Sequence, residues 1–418
     1  MSYEKNTTNC FDLPSEYLKK VEANIWELKL PRTNHQCPRC HNSTDKVHDY
    51  RVQTIKATSL VAHTVRYHKR RYVCTSCGKV FPEQASFLSR YQRMTKTLIC
   101  QLIVEHGMLS TSKDIARRYH VSAPTVSRLF SRVAPDSHKL PEAISLDEFK
   151  GDAGAKFQVV LNNLVNYTCC NIFPDRSVDK LYASLLEYPL KERLKVLYVS
   201  IDLSAMFRSL VRKCFPHAEI IADKFHAVRM ANDALDTIRK DVQKALSADQ
   251  RKYFKRSRYL LLKREDALTT DEDRRARTVL LSCSENLSAA YAMKEAYFSI
   301  MESKSKEEFM FRLKRFQLAV EETKLAPFLK LLRTTLAWKK ELLNACLTGL
   351  NNGFTEGCNT TIKTLKRLAY GFRNFENFKR RILFLLYDTE RIKQRMKRQR
   401  RHKNTLDRIH PIECNHNI

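Results

Sequence analysis

Glycine and proline are missing over long spans: no glycine lies between Gly154 and Gly349, and no proline between Pro216 and Pro327. Without either helix breaker, residues from about 227 to 345 are expected to form an all-helical block. Long apolar runs are missing too. No stretch approaches the roughly 18 to 20 residues that span a bilayer, and the N-terminus MSYEKNTTNC has no signal-peptide core, which argues against a membrane protein. Acidic residues are scarce beside basic ones, 45 against 75, giving a formal net charge of +30 and an isoelectric point near 9.7. That balance is the footprint of a polyanion binder, with nucleic acid first and an anionic membrane surface second. The 13 cysteines are an odd number, four of them in two short pairs and the rest scattered. This fits metal ligands plus reduced thiols, hence a soluble protein of a reducing cytosol. No repeat of solenoid period is present.

At 418 residues the chain exceeds one ordinary domain. Pro31 to Pro82 is rich in Cys, His, Arg and β-branched residues, and Ser86 to Val133 reads as short capped helices. From Ala143 to Arg239, strand-like runs (AISLDEF, FQVVLNNLV, VLYVSID, AEIIAD) alternate with helical ones (VDKLYASLLEY, AMFRSLVRKCF), the pattern of an α/β domain. The chain closes on a basic helix running into disorder.

"CPRC" at 37 to 40 is answered by "CTSCGK" at 74 to 79. Two such knuckles offer four thiolates, Cys37, Cys40, Cys74 and Cys77, for a tetrahedral structural Zn²⁺, with room between them for the hairpin of a zinc ribbon. Reduced core cysteines or a redox pair are the alternative. His35, His41 and His63 are nearby but are read as surface residues. Between the knuckles, Arg66, Lys69, Arg70 and Arg71 are expected to lay a basic strand edge along DNA phosphates.

"STSKDIARRYHVSAPTVSRLFSRV", residues 110 to 133, follows helix-turn-helix grammar. Ser112 caps one helix with Ile115, Ala116 and Tyr119 inward, and Ser122 caps a second with Val126, Leu129 and Val133 inward. Thr125, Arg128 and Arg132 then face outward, where they can reach bases or phosphates in a major groove.

Three carboxylates remain: Asp147 on one strand, Asp202 ending another, and Glu356 opening a late helix. Nucleases and polynucleotidyl transferases of the RNase H type use such a trio to hold two Mg²⁺ for in-line phosphoryl displacement. "LDEFK", "IDLSAMFRSLVRKCFPHAEIIADKFHAVRMANDALDTIRK" and "NNGFTEGCNTTIKTLKRLAYGFRNFENFKRRIL" resemble the three signature blocks of the ISL3 group of insertion-sequence DDE transposases. The resemblance spans about residues 31 to 390, and departs from the pattern at Asn351 and Thr360. It implies Asp147, Asp202 and Glu356 as catalytic residues and ligands of two Mg²⁺ (or Mn²⁺) ions. It also implies a multidomain α/β chain: lead segment 1–30, zinc ribbon 31–85, helix-turn-helix 86–136, RNase H-like mixed-sheet core 137–240 and 346–390, helical insertion 241–345 and basic tail 391–418. The implied partners are double-stranded transposon-end and target DNA, bound by a homodimer or larger assembly in the cytoplasm, associated with the nucleoid.

Asp223 and His226, from "ADKFHAVR", are auxiliary candidates near that site, or else a helix cap and a buried histidine. Helical spacing puts Thr360, Lys363 and Arg367 on the face of Glu356, with Ile362, Leu365 and Ala369 opposite, so Lys363 and Arg367 are expected to hold DNA phosphates. Tyr370, Phe372, Phe375 and Phe378 are expected in the core, Tyr370 alternatively as a base-stacking ring. A non-catalytic DNA-binding regulator and an RNase H-like nuclease without strand joining are the competing readings.

Overall fold

The computed structural model describes residues 13–58, 64–89, 91–133 and 139–387; His63 and the basic tail 391–418 lie outside them. The chain is a mixed α/β protein that divides into two compact units, Met1–Pro135 with Thr364–Leu385, and Asp136–Lys363 with Leu386–Ile418.

The first unit opens with strands β1 (Leu18–Glu22), β2 (Ile25–Leu28), β3 (His35–Gln36), β4 (Ser43–Thr44), β5 (Val47–Lys56), β6 (Thr64–Val73) and β7 (Val80–Pro82). They form a sheet of order β1-β2-β6-β5 with β7 also on β6, and β3 pairs with β4 apart. The long β5–β6 antiparallel pair is the hairpin expected between the knuckles. Val65 and Tyr67 of β6 share one core with Leu28, Ile55 and Phe87, while Tyr72, of opposite parity along the strand, is buried in a second with Cys37, Cys74 and Phe81. β6 is not the open basic edge read from the sequence. It takes β5 along one side, with β2 and β7 along stretches of the other, so its backbone donors and acceptors are largely taken up by neighbouring strands.

Three helices follow, Lys96–Gly107, Ser112–Arg118 and Ala123–Phe130, around Leu98, Leu102, Ile115, Val126 and Leu129. Thr111, not Ser112, caps the second, its hydroxyl accepting from the Asp114 N–H at 3.1 Å; the cap is the residue three before that N–H, one earlier than the sequence reading put it. Ser122 caps the third as expected, accepting from Thr125 N. The helix Phe375–Leu386 belongs to this unit through most of its length. The ring of its Phe384 occupies the space a Cβ at Gly107 would need, so this helix contact requires glycine there.

In the second unit, β8 (Ala143–Lys150), β9 (Phe157–Asn163), β10 (Thr168–Phe173), β11 (Tyr198–Ile201) and β12 (Glu219–Ala222) form one sheet. Its order is β10-β9-β8-β11-β12, antiparallel among the first three and parallel from β8 to β12. β9 is buried almost end to end, as a strand covered on both faces should be. β10 was not anticipated, since TCCNIF lacks clear alternation. From Lys224 to Thr348 the chain forms eight successive helices, as expected for the helical block, with Pro327 in the first turn of its helix, where proline is tolerated. Their Leu287, Phe309 and Phe328 share one core with Leu146, Leu161 and Ile201 of the sheet. The last of them ends where Gly349 takes a left-handed φ of 70°. No helix among the described residues is long and apolar enough to cross a membrane.

Candidate active site

Asp147 lies on β8, Asp202 follows β11 and Asp223 follows β12. The parallel register pairs Ser145 with Ser200 and Ile201 with Ala222. Continued by one or two residues, it sets Asp147, Asp202 and Asp223 side by side across three adjacent strands. Strand order reverses at β8, and the C-terminal side of such a reversal is where open α/β sheets place their ligand sites. Of the alternatives posed for Asp223 the structure shows the helix cap, and His226 is half-buried beside it. Asp223, 2% exposed, caps the helix Lys224–Lys244 by accepting from Phe225 N, and its Oδ2 lies 2.8 Å from Nδ1 of His226.

Glu356 is half-buried in the first turns of the helix Gly353–Leu368. Two neighbours fasten that helix to the sheet. Thr355 Oγ1 lies 2.6 Å from Ser145 Oγ and accepts from Asn162 Nδ2 at 3.2 Å; Asn359 Nδ2 donates to Asp147 Oδ2 at 2.8 Å. The match is geometric: four helical residues rise about 6 Å and two strand residues about 6.6 Å, so Thr355 and Asn359 meet Ser145 and Asp147 in step. The sequence reading did not assign Thr355 or Asn359 these roles. Their signal was available, as polar residues on the same helical face as Ile362, which is buried.

The electrostatics follow from burial and crowding. Asp147 is pushed up to about 6, first by burial and also by Asp202, against the Glu148 backbone N–H, His226 and Asn359. Asp202 is raised as well, first by burial and then by Glu148 and Asp223, with His226 opposing. His226 is raised mainly by its bond to Asp223, then by all three aspartates, against burial. Two buried oxygens, Asp202 Oδ1 and Asn359 Oδ1, have no hydrogen-bond partner among the described residues. Carboxylates pushed toward protonation beside unsatisfied oxygens are a donor set that fits a hard divalent cation. Asp147, Asp202 and Glu356 do not draw their ligand atoms all within 4.8 Å of one another, a closeness found among the described residues only at the four cysteines.

Cys37, Cys40, Cys74 and Cys77 do converge. Sulfurs lie 3.6 Å apart for Cys37–Cys77 and 3.4 Å for Cys40–Cys74, near the roughly 3.8 Å edge of a tetrahedron with Zn–S of about 2.3 Å. The two knuckles repeat one backbone turn: Cys37 N donates to Asn42 O and His41 N to Cys37 O, while Cys74 N donates to Lys79 O and Gly78 N to Cys74 O. His41 and Gly78 fill the same left-handed position, with φ of 61° and 68°. Cys74 is lowered to about 6, chiefly by the Cys77 backbone N–H. The cluster fits zinc and is compatible with a zinc ribbon.

The remaining candidates are dispersed. Arg70 is tied to buried Glu83 at 3.0 Å and Arg71 grips Asp49 through two nitrogens, while Arg66 and Lys69 are half-buried. Arg128 and Arg132 are exposed; Thr125 is half-buried and held by Ser122. Lys363 and Arg367 are exposed, with Ile362 and Leu365 buried opposite. Phe378 is core, but Tyr370 is 94% exposed with φ of 54°. The chain turns left-handed there on leaving the helix, which swings the ring into solvent.

A transposase family model of the ISL3 group matches residues 144–382, more than half of the chain. The "Transposase for insertion sequence element IS1001" of Bordetella parapertussis is 26% identical over 355 residues, covering 82% of this chain and 86% of that protein.

Proposed function

Because the chain belongs to the ISL3 transposase family, we propose that it binds the terminal inverted repeats of an insertion sequence and cuts and joins DNA strands at Asp147, Asp202 and Glu356. The observation that carries this reading is the alignment of Asp147 with Asp202 on adjacent parallel strands, with the helix of Glu356 pinned to Asp147 through Asn359. The strand order β10-β9-β8-β11-β12 supports an RNase H-like core, and the helices from Lys224 to Thr348 fill the place of the family's insertion.

Asp147, Asp202 and Glu356 would hold two Mg²⁺ ions. When bound, these supply charge stabilisation for the attacking and leaving oxygens of an in-line displacement. Asn359 fixes the rotamer of Asp147 and favours its charged form. Asp223 orients His226, which lies in the field of the same carboxylates. Water cuts the strand, the freed 3′-hydroxyl attacks the target, and no covalent enzyme intermediate forms.

The four cysteines bind a structural Zn²⁺ in a zinc ribbon. The helices Ser112–Arg118 and Ala123–Phe130 serve as a helix-turn-helix, with Arg128 and Arg132 toward DNA. Lys363 and Arg367 hold phosphates near the site, and two ends are brought together by a dimer or larger assembly. Incubating the purified protein with labelled end DNA and Mg²⁺, wild type beside Glu356→Ala, tests the reading: cleavage is expected to vanish in the variant, and its persistence sinks the assignment.

A further inference from the structure

The first unit contains a cavity of about 270 Å³ between the helices that carry Ser112 and Ser127 and the start of the helix Phe375–Leu386. Its lining among the described residues includes Arg381 and Arg373 and no Asp or Glu. Arg381 is 4% exposed and has no carboxylate partner among the described residues. One of its terminal nitrogens donates to the carbonyls of Met108 and Ser110, at 2.8 and 2.9 Å, while its Nε, also buried, donates to nothing. A buried guanidinium without an anion is costly, and burial lowers Arg381 to about 10. His106 adds no charge, being pushed down to about 4 by burial and then by Arg381. The start of a twelve-residue helix adds its partial positive charge, with Asn374 Oδ1 accepting from Asn377 N and Asn377 lining the cavity. Ser112, Ser127 and Asn377 bring further hydrogen-bond donors to the cavity, and Ser127 stands on the same helix as exposed Arg128.

We propose that this cavity takes one backbone phosphate of the DNA docked by the helices Ser112–Arg118 and Ala123–Phe130, with Arg381 as its buried counter-charge and Arg373, Ser112, Ser127 and Asn377 around it. The proposal rests on the DNA-binding reading and adds a phosphate clamp that ties the end of the chain to the DNA-binding helices. It requires the helix Phe375–Leu386 in place for full affinity.

Asn377→Asp tests it without risk to folding, because a carboxylate in the first turn of a helix is favoured by the helix dipole yet repels a phosphate. The full-length protein is titrated against a labelled random-sequence duplex between 50 and 200 mM salt. Asn377→Asp is expected to weaken binding about tenfold and to make the slope of log affinity against log salt shallower by about 0.9, one phosphate's worth. Gln250→Glu, which adds the same charge while keeping the capping box of a helix in the other unit, should change neither. Arg381→Gln, where it folds, should behave as Asn377→Asp does. Inorganic phosphate alone, titrated calorimetrically, distinguishes a free-anion site. If it binds wild type below millimolar concentration while duplex affinity is unmoved by Asn377→Asp, the clamp is overturned. Unchanged affinity and slope in Asn377→Asp overturn the clamp alone; no duplex binding by wild type overturns the DNA-binding reading with it.

Discussion

Asp147 gives the site its pH dependence. Its carboxyl titrates at about 6 in the folded chain against an ordinary 3.8, so between those values the folded state keeps a proton that the unfolded state has lost. Its contribution to stability is therefore full below about pH 4 and is lost as pH rises through about 6, a loss of about 3 kcal/mol. Asp147→Asn should make the metal-free protein more stable at pH 7 by about that amount and change little at pH 4, while abolishing cleavage; urea unfolding in chelator measures the first. A variant less stable at pH 7 would show that Asp147 is not strained by burial and by Asp202. Asp147 was legible in the sequence as an acid on a strand, with Asp202, Asp223 and His226 as candidates for the same site, but its bond to Asn359 was not. Asn359 reaches it through helix docking, which links residues 212 positions apart.

The elements differ in what holds them. The knuckles enclose only a small core, in which Cys37, Cys74, Tyr72 and Phe81 are buried, so metal is expected to supply much of their folding free energy. One zinc per chain should be found by elemental analysis; Cys40→Ser should lose it and raise amide exchange across β3, β4 and β7 while leaving the sheet of the other unit protected. The helix Gly353–Leu368 is held instead by packing, with Thr355, Cys358, Ile362 and Leu365 buried at helical spacing. Its exposed side carries Lys363, and Lys363→Ala is expected to leave stability within about 0.5 kcal/mol of wild type. It should also make the salt slope of end-DNA binding shallower by about 0.9; an unmoved slope would reduce the stripe to a solvated face. The amphipathic pattern of this helix was readable from its sequence, whereas the pairing that encloses β6 was not, since alternation marks a strand without naming its neighbours.

At the scale of the molecule, the charge of +30 makes a prediction that no single residue does. If six or more phosphates are neutralised, duplex affinity should fall by at least about a thousandfold between 50 and 200 mM salt, with a slope steeper than about −5. A shallow slope in a fluorescence titration would mean that the charge serves solubility rather than binding. By itself the sequence determined the helical block, the cysteine knuckles and the main strands of the second sheet, because breakers, ligand spacing and apolar periodicity are local properties. The tertiary structure decided which arginines are taken up by carboxylates, which aromatic rings face solvent, that Asp223 stands beside Asp202, and that Arg381 is buried against the backbone of residues 108 and 110. Those outcomes depend on strand register and helix docking, which join distant parts of the chain and leave no local pattern to read.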